Sequence, residues 1–164
     1  MTVIIELLKD QALSSLSFDC GIEALNRYLF TQAKQDIKRH LCATYLLRFN
    51  TQIIGYYTLS STSVSLHELE DDFIKKMPRY PLLPATLIGR LAIDNQHQGK
   101  GFGAKLLVHA LKSSYKLSKK IGSIAVILDA KSQQAVNFYL HYGFKKLNKN
   151  KMFLPMISIK KLFG

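Results

Sequence analysis

ATLIGRLAIDNQHQGKGFGAKLLVHAL, residues 85–111, divides into an apolar strand over 85–94, a polar turn carrying Gly99, Gly101 and Gly103, and a helical run beginning at Ala104. Backbone N–H groups at the start of a helix have no internal partner, so a glycine-bearing turn between strand and helix is a place to hold phosphate. Glycine takes φ > 0 freely and lets an anion approach with no Cβ in the way. Two common phosphate motifs fail on spacing. The P-loop pattern G-x-x-x-x-G-K-[ST] needs Ser or Thr after Gly99-Lys100, where Gly101 stands. The dinucleotide pattern G-x-G-x-x-G needs a third glycine where Gly101-x-Gly103 is followed by Leu106. Starting from Gly99 instead puts Ala104 or Lys105 near that place.

Toward the N-terminus, residues 65–84 interrupt the strand pattern. HELEDDFIKKM, 67–77, supplies a helical turn or two. PRYPLLP, 78–84, runs irregular or extended, because Pro78, Pro81 and Pro84 lack the N–H that sheets and helices use. Such a segment either shapes a substrate cleft or is a surface connection. Residues 43–49 and 53–64 are two strands joined by Asn50-Thr51-Gln52, short enough for a hairpin. Before them, Ile22, Leu25, Leu29 and Ala33 recur at three- and four-residue steps as the apolar face of a helix, entered with Ser17 or Asp19 as cap. Arg27, Lys34 and Lys38 share another face, which is either the solvated side of the helix or a contact for a polyanion. Residues 3–8 suit a first strand.

Toward the C-terminus, Leu106, Leu107, Ala110, Leu111, Leu117 and Ile121 form one buried helical face, with Lys105, Lys112, Lys116 and Lys119 opposite and Gly122 as the stop. Residues 124–128 are a continuous apolar strand. Ser132 caps a helix carrying Ala135, Val136, Phe138 and Tyr139, closed by Gly143. Residues 144–147 and 152–159 read as final strands joined by a polar turn, with Pro155 marking an edge or a bulge. The order of elements predicts a mixed α/β domain with a parallel crossover between the strands at 85–94 and 124–128.

At 164 residues the chain is sized for one domain, 1–164, able to bury roughly 70% of its unfolded surface. Its 23 Lys and Arg against 11 Asp and Glu give a formal net charge of +12, which favours a polyanionic partner and opposes encounter with polycationic amines. Cys20 and Cys42 show neither CxxC nor metal-type spacing, which points to a reduced setting. No apolar run reaches the roughly 18 residues of a membrane span, and the start has no signal-like pattern, so a cytoplasmic location without membrane contact is expected.

Gln98-x-x-Gly101-x-Gly103, with Ser132-x-x-Ala135-x-x-Phe138-Tyr139 and Tyr142-Gly143-Phe144 downstream, resembles the two signatures of the GCN5-related (GNAT) acetyltransferases. The likeness extends to FDCG at 18–21 with EALN at 23–26, PRYP at 78–81, GRLAID at 89–94 and FLP at 153–155. Over nearly the whole chain it is similar to the acetyltransferase toxins of bacterial toxin–antitoxin systems. The resemblance implies an α/β (α+β) GNAT fold: a mixed sheet of about six to seven strands with flanking helices and a splay between the strands at 85–94 and 124–129. It implies acetyl-CoA as cosubstrate and no metal, with the pyrophosphate on the backbone of Gln98, Gly99, Lys100, Gly101, Phe102, Gly103 and Ala104. The main chain of Leu91, Ala92 and Ile93 would serve the pantetheine arm and the oxyanion, and Asn137 would reach the coenzyme.

Tyr139, in the family's FY pair, is the expected proton donor to the departing thiolate. His97 and His141 are weaker candidates, as a turn residue and as one facing elsewhere on its helix. Ser132 replaces an Asn common in the superfamily, which leaves it a cap rather than a coenzyme contact. The acceptor implied is the α-amino group of an aminoacyl-tRNA, with Lys34, Lys38, Arg39, Arg79 and Arg90 as candidate RNA contacts. A small ribbon-helix-helix antitoxin and a homodimeric state are the implied partners. The alternatives are a GNAT enzyme acting on a protein or small-molecule amine, and a nucleic-acid-binding module that has lost turnover.

Overall fold

The computed structural model describes residues 2–13 and 18–163. Seven strands, β1 Ile4–Leu7, β2 Ala43–Phe49, β3 Gln52–Ser65, β4 Leu82–Ile93, β5 Ala125–Asp129, β6 Lys145–Lys146 and β7 Lys151–Pro155, form one sheet in the order β1-β2-β3-β4-β5-β7-β6. The helices are α1 Glu23–Arg27, α2 Ala33–Lys38, α3 Asp71–Ile74, α4 Phe102–Ser118, α5 Gln133–His141 and α6 Met156–Phe163, with a π-helical turn, Tyr28–Gln32, between α1 and α2. The mixed sheet and flanking helices are those expected. The chain divides into two compact units: Met1–Ser60 with Ile88–Ala110, and Ser61–Leu87 with Leu111–Gly164.

In the first unit, β1 and β2 pair antiparallel from Ile4↔Arg48 to Leu7↔Tyr45, and β2 pairs antiparallel with β3, with a register shift between Leu47 and Arg48. The hairpin turn is two residues, Asn50 and Thr51, one fewer than read from sequence. Asn50 takes φ 53°, a conformation asparagine tolerates well. Leu8, Phe18, Leu29, Ala33, Leu46, Ile53, Tyr56 and Ala92 make the core. Tyr56 is wholly buried, stacked on Tyr28 (6.4 Å, 13°), edge-on to Phe18 (5.7 Å), and its hydroxyl donates to the Leu25 carbonyl at 2.7 Å.

Two expectations for this region are corrected. Ile22 is 57% exposed because it stands at the extended N-cap position, before the helical stripe begins. Asp19 does not cap α1: its Oδ1 accepts from the Gly21 N–H (2.8 Å) and from Asn26 Nδ2 (2.9 Å), closing a local turn instead. The alternative cap, Ser17, lies outside the described residues.

In the second unit, β4 pairs in parallel with β5 through Thr86↔Val126 and Leu87↔Ile127, as the crossover predicted, and β7 pairs antiparallel with both β5 and β6. Val64, Leu69, Leu83, Ala85, Ala125, Ile127 and Phe153 form its core. The segment 67–77 gives one short helix, α3, after a 3-10 turn, Leu66–Glu68, which Ser65 and Glu68 close as a capping box. Pro84, read as part of an irregular or extended run, is extended and lies inside β4. The residue is exposed, and its carbonyl accepts from the Ile124 N–H at 2.9 Å.

The C-terminal end differs most from the sequence reading. The strand expected over 152–159 stops at Pro155, and residues from Met156 are helical, with Met156 and Ile159 buried one turn apart. β7 lies between β5 and β6, but β6 pairs only with Met152 and Phe153, so Pro155 has a strand neighbour on the β5 side alone and ends the strand there. Leu117 and Ile121, placed on the buried face of α4, are 44% and 67% exposed, and the helix stops at Ser118, before Gly122. Ser132 and Gly143 act as read. The Ser132 hydroxyl accepts from the Ala135 N–H at 3.1 Å, and Gly143 takes φ 94° as its N–H donates to the Leu140 carbonyl.

Candidate active site

The first unit contains the turn from Asp94 to the start of α4. Gly99 (φ 75°) and Gly101 (φ 86°) are left-handed, and a Cβ built on either would meet no heavy atom within 4 Å. These two glycines therefore serve conformation, and the space beside them is open to a ligand. Gly103 differs from expectation: it is the second residue of α4 and is right-handed. The N–H groups of Phe102, Gly103 and Ala104 belong to the first turn of a 17-residue helix and have no intrahelical acceptor. Such an end attracts negative charge, so backbone and open space together fit a pyrophosphate.

Directed bonds hold the turn in place. Asp94 is 4% exposed, and its carboxylate accepts from the Asp19 N–H (3.0 Å) and the Gln96 N–H (3.1 Å). His97 Nδ1 lies 3.1 Å from the same carboxylate, which ties that ring into the turn as a structural member. The Asn95 N–H donates to the Asp19 carbonyl at 2.7 Å. The Gln98 side-chain amide donates to the carbonyls of Ile93 (2.9 Å) and Cys20 (3.3 Å) and to Asn95 Oδ1 (3.3 Å). Its side chain is thus a brace, and its own N–H also turns inward, 3.5 Å from the Asn95 carbonyl.

Leu91, Ala92 and Ile93 close β4 immediately before the turn, with Ala92 facing the core. Arg90 shares the Ala92 face, since alternate strand residues point the same way. Its guanidinium carbon sits 3.4 Å from the centroid of the Tyr28 ring. The Tyr28 hydroxyl donates to Asp36 Oδ2 (2.7 Å) and lies 3.1 Å from Cys42 Sγ. Burial, with Cys42 and Asp36 beside it, raises the Tyr28 phenol far above its usual range, so it stays neutral. Bonds from Gln32 and Tyr28, with smaller help from Arg90 and Arg39, hold the Asp36 carboxyl below the usual range. Lys34 is half-buried on α2, and Lys38 and Arg39 are exposed at its end. Tyr28 escaped the sequence reading, because only the three-dimensional structure shows it beneath Arg90.

The second unit holds Arg79, exposed in the loop before β4, and the α5 residues Asn137 and Tyr139. Asn137 is exposed, with its Oδ1 accepting from Gln133 Nε2 at 2.9 Å. Tyr139 is 8% exposed, edge-on to Phe144 (5.4 Å) and Phe138 (5.1 Å). Burial pushes its phenol up to about 12, so at neutral pH it is a proton-bearing donor. His141 ends α5, exposed and edge-on to Tyr142. Among the described residues no cluster of three His, Cys, Asp or Glu could hold a metal, and no helix is long and apolar enough to cross a membrane.

Residues 40–146 match the acetyltransferase (GNAT) domain family. The chain is 29% identical to a protein of Sinorhizobium fredii described as a probable toxin TacT, over 98% of this chain and 95% of the relative. Among solved structures, AtaT complexed with acetyl-methionyl-tRNAfMet superposes with a TM-score of 0.92 at 34% identity, covering 99% of this chain and all of that one. AtaTR bound with acetyl-CoA gives 0.85 at 35% identity, covering 99% and 98%. Together with the glycine turn and the FY-pair tyrosine read from the sequence, this match over residues 40–146 assigns the chain to the GNAT acetyltransferase family.

Proposed function

We propose that this chain is an acetyltransferase toxin that moves the acetyl group of acetyl-CoA onto the α-amino group of an aminoacyl-tRNA, blocking translation until a cognate antitoxin neutralises it. The observation that carries this reading is the likeness, along 99% of the chain, to a toxin solved with an acetylated methionyl-tRNA. The charge of +12 supports it, because a tRNA is drawn to that field and a polyamine is repelled. Residues 1–164 act as a single GNAT domain, in the cytoplasm and as a homodimer. The antitoxin is of the ribbon-helix-helix kind.

In the mechanism, the amides from Gln98 to Ala104 hold the coenzyme pyrophosphate, and Asn137 adds a contact along the same coenzyme. The main chain of Leu91, Ala92 and Ile93 donates to the oxygen of the acetyl carbonyl as charge develops there. The acceptor nitrogen forms the new C–N bond and the C–S bond breaks. The nitrogen gives up a proton and the sulfur leaves as a thiol. An α-amino group has a pKa of about 8, so a useful neutral fraction exists at pH 7 without a strong base.

Tyr139 serves the departing sulfur. A thiol has a pKa of about 8.5 in water, so full proton transfer from a phenol near 12 would be uphill by about 5 kcal/mol. Tyr139 therefore stabilises the sulfur chiefly by donating a hydrogen bond as negative charge builds, and solvent completes the protonation. Incubating the protein with acetyl-CoA and a panel of charged tRNAs tests the reading. Acetylated aminoacyl ends are expected, and acetylation only of peptides or free amines would overturn it.

A further inference from the structure

The Arg90 guanidinium is placed as a recognition group with no hydrogen-bond or ion-pair partner among the described residues. Its flat face lies on the Tyr28 ring at 3.4 Å. Among the described residues no carboxylate lies within ion-pair distance of it and no acceptor takes its N–H groups. A guanidinium carries five donors in a fixed fork, and leaving them without acceptors at a half-buried position is costly unless a ligand completes them.

The platform beneath it is rigid. Tyr28 is 8% exposed, stacked on the wholly buried Tyr56, and anchored through its hydroxyl to Asp36 and Cys42. Tyr28 also opens the π-helical turn, with its carbonyl accepting from the Ala33 N–H five residues on. One extra residue in a helical turn rotates the two flanking helical segments by about 100° relative to each other, and such turns recur at functional sites. Here Tyr28, Leu29 and Ala33 all stay in the core, with the Tyr28 ring beside Arg90. Asp36 is already bonded to Tyr28 and to Gln32 Nε2 (3.0 Å), so the carboxylate whose charge Arg90 influences is occupied by other donors.

We infer that Arg90, held flat on Tyr28, is the anchor for a phosphodiester of the acceptor RNA: the one on the 5′ side of the terminal, aminoacylated nucleoside. This inference rests on the aminoacyl-tRNA reading above and specifies how that substrate is held. Arg90 is the residue before Leu91, whose main chain is assigned to the reacting acyl group. The phosphate nearest the reacting amine is therefore the one this side chain reaches. A planar fork suits two phosphate oxygens at once, which a lysine ammonium does not reproduce.

The test uses two small acceptors carrying whichever amino acid the panel of charged tRNAs shows to be acetylated fastest. One is the 3′-O-aminoacyl adenosine, and the other is the same compound with a 5′-methylphosphate. The readout is the ratio of their kcat/KM values, in wild type and in variants whose folding is checked by acetyl-CoA affinity. Wild type is expected to favour the phosphorylated acceptor by at least about tenfold. Arg90→Gln is expected to bring the ratio to about one. Arg90→Lys, the second variant should the first fail to fold, is expected to lower it at least threefold, and Tyr28→Phe, which keeps the ring, to retain most of it. Equal preference in wild type and both Arg90 variants, or no preference in wild type, overturns the inference while the tRNA reading stands. Activity on peptide amines with none on charged tRNA overturns both.

Discussion

In the first unit, the turn over residues 94–101 is held by directed polar contacts: Asp94 accepts two backbone N–H groups beside His97, and the Gln98 amide is shared among three oxygens. In the second unit, Tyr139 is held by ring edges, with Phe138 and Phe144 within 5.4 Å and burial as the cause of its raised pKa. One region fixes main chain and leads into the first turn of α4, whose N–H groups have no intrahelical acceptor. The other fixes a side chain and keeps its proton on. The two assigned tasks, holding a pyrophosphate and donating to sulfur, need these two kinds of construction. Substitutions should separate them: changes in the turn should act on coenzyme KM, and changes at the tyrosine on turnover.

The largest expected effect is at Tyr139. Replacement Tyr139→Phe keeps the ring that packs on Phe138 and Phe144 and removes only the hydroxyl. Turnover should fall by about 10²-fold or more, while acetyl-CoA affinity stays within about twofold. Steady-state kinetics with isothermal titration reads both. Unchanged turnover would remove Tyr139 from the chemistry.

Next in size is Gly101→Ala. Nothing stands within 4 Å of the added Cβ, so the penalty is conformational, about 1–2 kcal/mol for a non-glycine residue at φ 86°. If the turn relaxes to relieve it, KM for acetyl-CoA should rise about tenfold with a smaller change in kcat. Gly103→Ala, at a helical position, should have the smaller effect of the two. The reverse order would mean that close approach of the ligand, not backbone conformation, governs the turn.

How much of this was legible in the sequence depends on the same division. Local devices with their own chemistry could be read: the glycine turn, the Ser132 cap, the Gly143 stop and the hairpin at Asn50. What was missed depends on packing between distant segments. The π-helical turn leaves no mark in residues 28–32, and the contact of Tyr28 with Arg90 joins residues some sixty positions apart in the chain. Leu117 and Ile121 continue the apolar period of α4 past the point where anything covers them. At the C-terminus a signal was present but outweighed: Met156 and Ile159 have helical spacing, whereas the apolar run with β-branched Ile157 and Ile159 reads as a strand. For the site, the motif located Gln98 but could not tell that its side chain points back into the protein.

A third, smaller effect concerns pH. With the Tyr139 phenol pushed up to about 12, no alkaline limb belonging to it should enter the rate profile below about pH 11. The rate should instead climb with the acceptor amine, pKa about 8, and level off. A descending limb near pH 9–10, absent from Tyr139→Phe, would mean the phenol titrates near its ordinary value and transfers its proton outright. The same raised pKa makes stability depend on pH. The protection it gives is complete below about pH 10, where an unfolded tyrosine is still protonated, and is lost as pH rises toward 12.

The smallest effect tests whether the second unit relies on polar contacts anywhere as the first does. Glu68 is the best case: its carboxylate accepts from the Ser65 N–H (3.1 Å), Asn148 Nδ2 (3.1 Å) and Lys151 Nζ (3.0 Å), tying the turn after β3 to the β6–β7 hairpin. Lys151 foremost, with the Ser65 N–H and Asn148, holds its pKa below the ordinary 4.5. A lowered folded pKa means the contribution is present above about pH 4.5 and disappears as pH falls through the folded value. Glu68→Gln should therefore cost about 0.5–1 kcal/mol at pH 7, since the pair is partly exposed and screened. The Tm gap between wild type and variant should close as pH approaches 3. A gap that persists in acid would assign the loss to the shape of the capping box rather than to charge. Turnover should be unaffected, since the contact lies in the frame around α3 and leaves α5 untouched.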